Sequence, residues 1–178
     1  MKALHLAKRF FTSLVARPPT AEEEAWVAER LLPGEFELWQ RQTRYDRRHT
    51  YGVARMVESE LTGTPDAGGP WPAAALLHDV GKVEARLGLV GRVIATLAIA
   101  VLGRDRVARW SERGGWWGRA GRYADHPALG ARLVQEVGGR DTVATWAAAH
   151  HGGSTLDPGA VDGVPERVVR ALLAADMD

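Results

Sequence analysis

The stretch Ala73-Ala-Ala-Leu-Leu-His-Asp-Val-Gly-Lys82 is an apolar helical run that carries an imidazole beside a carboxylate, His78-Asp79. Such a run has no packing use for either group, and burying one without a partner costs several kcal/mol. A divalent cation removes that cost, because neutral imidazole nitrogen and carboxylate oxygen are both good ligands. On a helix the two residues lie about 100° apart and both reach one ion beside it. Lys82, four residues past His78 and three past Asp79, shares their side. Only three of the 23 basic residues are Lys. In a chain that relies on Arg, a Lys here suits a compact point charge for a substrate phosphate.

Matching ligands lie on both sides of this stretch: His49 upstream, then His126, His150, His151 and Asp176 downstream. Five of the six histidines thus fall into one constellation. Taken alone, His49 reads as an ordinary histidine. Asp176 alone reads as a solvated helix terminus, where the helix dipole disfavours an anion. A cation removes that objection. His126-Pro-Ala-Leu-Gly130 places a glycine one turn after the histidine, letting another backbone or a ligand approach closely. The pair His150-His151 can complete a second ion site, bind phosphate, or support the ligands by hydrogen bonds.

The remainder reads as helices punctuated by Gly and Pro. Thr20 caps a helix over 21–32, with Glu23 completing a capping box. Pro33-Gly34 breaks it, and a short helix over 35–43 follows. Residues 46–61 show helical spacing of Tyr51, Val53, Met56, Val57 and Leu61, and 62–72 is a loop. The His78-Asp79 helix ends near Gly81; 87–102 is helical, and a further helix begins within 105–110. The glycines and tryptophans of 114–121 read as a loop or mobile cover. His126-Pro127 starts a helix, Asp141 caps another over 142–151, and Pro165 opens the last. No segment alternates with period two and none repeats, so the expected fold is all-α.

A length of 178 residues supports one domain with a substantial core. Hydrophobic content of 46% and charged content of 25% are ordinary for a globular protein. A net charge of +1 gives no reason to expect nucleic-acid binding. Zero cysteines exclude disulfides, thiolate metal ligands and a cysteine nucleophile, and agree with a reducing, cytoplasmic setting. Lys8 and Arg9 interrupt the N-terminal apolar run, which reads as an amphipathic helix rather than a signal peptide. The apolar window 93–102 is shorter than the roughly 20 residues a bilayer span needs. It reads as a buried helix, with a membrane-surface or partner-binding helix as the alternative. The seven tryptophans read as packing residues; Trp116-Trp117 can also stack a nucleobase or touch a membrane. Arg44, Arg47, Arg48, Arg119 and Arg122 stand near the proposed ligands as phosphate contacts.

The order His49 … His78-Asp79 … Asp176, in an all-α context, resembles the H…HD…D signature of the HD domain superfamily of metal-dependent phosphohydrolases. The resemblance covers 46–178 and implies a single HD-like helical bundle there, with 1–45 as an N-terminal helical extension. It implies that His49, His78, Asp79 and Asp176 ligate a first metal, with Asp79 and Lys82 acting in catalysis. His126, His150 and His151 resemble the extra histidines of binuclear subgroups and would hold a second metal or a phosphate. Residues 152–159 carry no Gly-Tyr-Pro tripeptide, which argues against cyclic-di-GMP cleavage of the HD-GYP kind. The implied activity is hydrolysis of a phosphate ester or anhydride, with a nucleotide as the leading substrate. The cofactor would be one or two divalent transition-metal ions (Mn, Fe, Co, Ni or Zn), which activate water. The alternative is a non-catalytic HD-like module that binds metal or nucleotide for regulation.

Overall fold

A computed structural model describes residues 17–151 and 156–177. The amphipathic reading of the N-terminal segment falls outside these residues. The fold is all-α. Helix α1 (Ala21–Ala28) opens on the capping box: Glu23 N–H donates to Thr20 Oγ1 and Thr20 N–H donates to the Glu23 carboxylate. Helix α2 (Pro33–Arg41) starts at the proline itself, with Glu35 accepting from Leu32 N–H. Its bounds are therefore shifted from the expected 35–43, because proline is tolerated in a first turn where its missing N–H is not needed. Helix α3 (Arg44–Leu61) is capped by Thr43, whose Oγ1 accepts from Asp46 N–H.

Helix α4 (Trp71–Leu77) is buried from Ala73 to Leu77 and ends one residue before His78. The His78-Asp79 pair lies in the turn leading to the single-turn helix α5 (Lys82–Ala85). Helices α6 (Leu89–Leu102), α7 (Arg104–Ala108) and α8 (Gly115–Ala124) follow, then α9 (His126–Glu136), α10 (Asp141–Ala149) and α11 (Glu166–Met177). Asp141 does not cap α10; Arg140 occupies the cap position and supplies no side-chain bond. His150 and His151 extend α10 as a 3₁₀ turn.

Two packing units result. The larger core joins α1, α2, α3, α4, α9, α10 and α11 through Val27, Trp39, Val57, Leu76, Leu77, Val134, Trp146 and Leu172. Residues on either side of position 45 share this core. The smaller unit, α5 to α8, closes on small side chains, Ala85, Ala95, Ala120 and Ala124, with Leu87 and Val107. Residues 115–124 are helical, against the expected loop. A Cβ on Gly118 would lie 1.9 Å from Arg113 O, and one on Gly121 would lie 2.2 Å from Ser111 N. These glycines let α8 press against the preceding backbone, which outweighs their low helix propensity. The expected burial of α6 is also overturned, since Ala95 is its one buried residue.

Candidate metal centre

The His78-Asp79 turn lies where α5 meets α9. A Cβ on Gly81 would stand 2.0 Å from His126 O, and one on Gly130 would stand 3.2 Å from Gly81 N. Two side-chain-free positions thus let the turn touch the start of α9 and bring Asp79 to His126. The one-turn spacing from His126 to Gly130 has the packing consequence expected of it.

Three of the imidazoles are held alike. Nδ1 of His78 lies 2.7 Å from Ala75 O, that of His126 2.6 Å from Tyr123 O, and that of His150 2.8 Å from Ala147 O. A carbonyl only accepts, so each Nδ1 carries the proton and donates, while each Nε2 points into the cluster. Asp79 sits between the rings. Its Oδ1 is 3.2 Å from His126 Nε2 and 3.5 Å from His150 Nε2; its Oδ2 is 3.4 Å from His78 Nε2 and contacts Lys82 Nζ. Asp176 Oδ1 is 3.0 Å from His49 Nε2 and 3.5 Å from His78 Nε2. His151 Nε2 meets His126 Nε2 at 2.9 Å. All seven residues picked from the sequence as metal or phosphate ligands converge, with Lys82 beside them.

The donor set fits a divalent cation. Ligand-capable atoms of Asp79, His126, His150 and His151 form one group, and those of His49, His78 and Asp79 another, each within 4.8 Å of one another. Four ligands on bonds of about 2.05 Å in a tetrahedron are about 3.3 Å apart, close to the separations here. The Nε2 atoms of His78 and His150 are buried without a hydrogen-bond partner. Imidazole lone pairs facing a carboxylate repel it unless positive charge lies between them. Asp79, belonging to both groups, offers one oxygen to each.

Electrostatics sort the rings. Burial opposes charging His78, but Asp79 and Asp176 outweigh it and hold its pKa up at about 10, so a cation bound at its Nε2 would take the place of a proton there. Burial drives His126 down to about 4 and also lowers His150 and His151, with neighbouring cationic groups adding to the effect. These three stay neutral, the form that binds metal. Desolvation would raise both carboxyls, yet Lys82 and the histidines hold buried Asp79, and His49 and His78 hold half-buried Asp176, below the ordinary carboxylate range. In the same way Asp79 overcomes burial at Lys82 and raises its pKa.

A cavity of about 240 Å³ opens onto the cluster, lined by His49, Asp79, Lys82, His126, His151 and Asp176. Leu89, Val93, Thr96 and Ile99 of α6 form an apolar wall, and Tyr45, Asp46, Arg92, Arg104 and Tyr123 complete the lining. The arginines singled out from the sequence are absent from this lining. Arg47 pairs with Glu24, Arg48 with Glu23, and Arg122 donates to Glu84 O and Ser111 O; Arg44 and Arg119 are exposed. Sequence proximity misled here because a long side chain is aimed by its helix face. The two arginines that flank the apolar window 93–102, not picked from the sequence as phosphate contacts, line the cavity instead. Arg92 is tied up by both oxygens of Asp46, at 2.6 and 2.8 Å. Arg104 donates to Ala124 O and has no carboxylate partner among the described residues.

No protein-family model, curated protein or solved structure matches this chain.

Proposed function

We propose that this protein is a metal-dependent hydrolase of phosphate esters or anhydrides, of the HD type its motif order resembles, with nucleotides as the leading substrates. One observation carries the reading: the Asp79 carboxylate divides its oxygens between two imidazole groups beside a cavity that also holds Lys82 and Arg104. His49, His78, Asp79 and Asp176 would hold one divalent ion, and Asp79, His126, His150 and His151 a second. Bound there, such ions supply water activation and Lewis-acid stabilisation of a phosphoryl group.

The chain's own residues complete the site. Lys82 remains an ammonium, so it neutralises charge and does not act as a base. It also holds Asp79 in place from the Oδ2 side. Arg104 lines the cavity, and its guanidinium is a fork that matches phosphoryl oxygens. The apolar wall of α6 limits water around these charges and so strengthens their action.

The test is phosphate release by the metal-loaded protein from p-nitrophenyl phosphate and a panel of nucleotides. The expected result is turnover that falls about a hundredfold in Arg104→Ala, the typical scale of one transition-state donor, with metal content unchanged. A metal-loaded parent that binds nucleotides but turns none over would support the regulatory module instead.

A further inference from the structure

Helix α6 shows a stripe of apolar side chains to solvent. Val90, Ile94, Leu97 and Val101 are 66%, 47%, 53% and 81% exposed. Their spacing puts them on one face of the helix. The two polar side chains of α6 are Arg92 and Thr96, and both are engaged inside the molecule. Arg92 binds Asp46 and Leu87 O, and Thr96 Oγ1 donates to Arg92 O. The outer face is therefore hydrocarbon with no side-chain donor or acceptor. We propose that this face, with the arginines at its ends, docks on the surface of an anionic lipid bilayer.

Three observations favour lipid over protein as the occupant. A protein interface carries about one hydrogen bond per 100–200 Å², and this stripe has no side chain to make one; acyl chains need none. The surroundings are basic: between positions 86 and 122 the exposed charged residues are Arg86, Arg106, Arg109, Arg113 and Arg119 against Asp105 and Glu112. Arg86 precedes α6, Arg106 and Arg109 follow it, and all three are exposed, placed to meet lipid phosphates while the stripe enters the headgroup boundary. Trp117, 53% exposed and edge-on to Trp110 at 5.1 Å, lies on α8, which packs against α6. Such a ring suits the membrane–water interface.

A second copy on this face would bring two sets of arginines together, which disfavours self-association. No single helix among the described residues is long and apolar enough to cross a bilayer, so α6 would lie in the surface plane. The same helix walls the cavity, and docking would set the cavity beside the lipid boundary. The proposal does not depend on hydrolysis.

The experiment is co-sedimentation of the full chain with vesicles of phosphatidylcholine alone or mixed with phosphatidylglycerol. The parent is expected to bind the mixed vesicles at least about tenfold more tightly than the neutral ones, and to be released by salt. Ile94→Ser/Leu97→Ser and Arg106→Gln/Arg109→Gln should each weaken binding by about tenfold or more while keeping the parent's circular dichroism and melting temperature. No binding to either vesicle by the parent overturns the proposal, as does equal binding by folded variants. A parent dimer dispersed by Ile94→Ser/Leu97→Ser would assign the face to a second copy, and vesicle-independent retention on nucleic acid would assign the arginines elsewhere. Loss of melting stability in the serine variant, with no vesicle binding by the parent, would show that the chain itself covers the stripe.

Discussion

Asp46 and Arg92 show how much can rest on one pair. The carboxylate is 2% exposed and both its oxygens accept from one guanidinium. Burial alone would raise the Asp46 pKa, but Arg92 outweighs it and brings it below the usual value. The folded state therefore binds this proton less readily than the unfolded chain does. The stabilisation is present above the ordinary carboxylate pKa of about 4 and is lost as pH falls through the lower, folded value. Asp46→Asn should reduce the loss of unfolding free energy in that acid window, measured by urea titrations at stepped pH. It should also destabilise the protein by about 3 kcal/mol near neutrality, because it leaves a buried guanidinium without its counter-charge. The candidate ligands were legible because imidazoles and carboxylates are out of place on apolar helices. The Asp46–Arg92 pair was not, since the partners stand 46 positions apart and meet only after α6 packs.

At the scale of elements, close backbone approach decides where the ligands go. Gly81→Ala would drive a Cβ into His126 O, pushing the His78-Asp79 turn off α9. The expected effect is a loss of about 3 kcal/mol, the upper range for overpacking, together with weaker metal binding, measured by denaturant unfolding and metal titration. Unchanged stability would mean that the turn and α9 do not touch. The helix over 115–124 escaped sequence reading because its glycines signal a break by propensity, and only the backbone they press against shows their use. The exposure of α6 was hidden for a related reason. A helix with two polar side chains in fourteen looks like a core helix, and what covers it is a tertiary fact. The cap of α1 was legible because both partners lie within four residues.

Across the whole molecule, the candidate centre sits on the seam between two packing units. The α3, α4, α10 and α11 region supplies His49, His78, His150 and Asp176, while the α5 to α8 unit supplies Lys82 and Arg104. Ions bound there would tie the two units together, adding to the Asp46–Arg92 pair and the close approach of Gly81 to His126 O. Removing metal with a chelator should lower the melting temperature, and restoring it should reverse the change. At a thousandfold excess over the dissociation constant, binding stabilises by about 4 kcal/mol. The most direct test of the central claim is elemental analysis of the protein purified without chelator or a metal-binding tag, parent beside Asp79→Asn. The expected result is about two divalent transition-metal ions per parent chain and near loss of both in the variant, because Asp79 belongs to both ligand groups. A folded parent that carries no such ion and takes up none on titration would contradict the account.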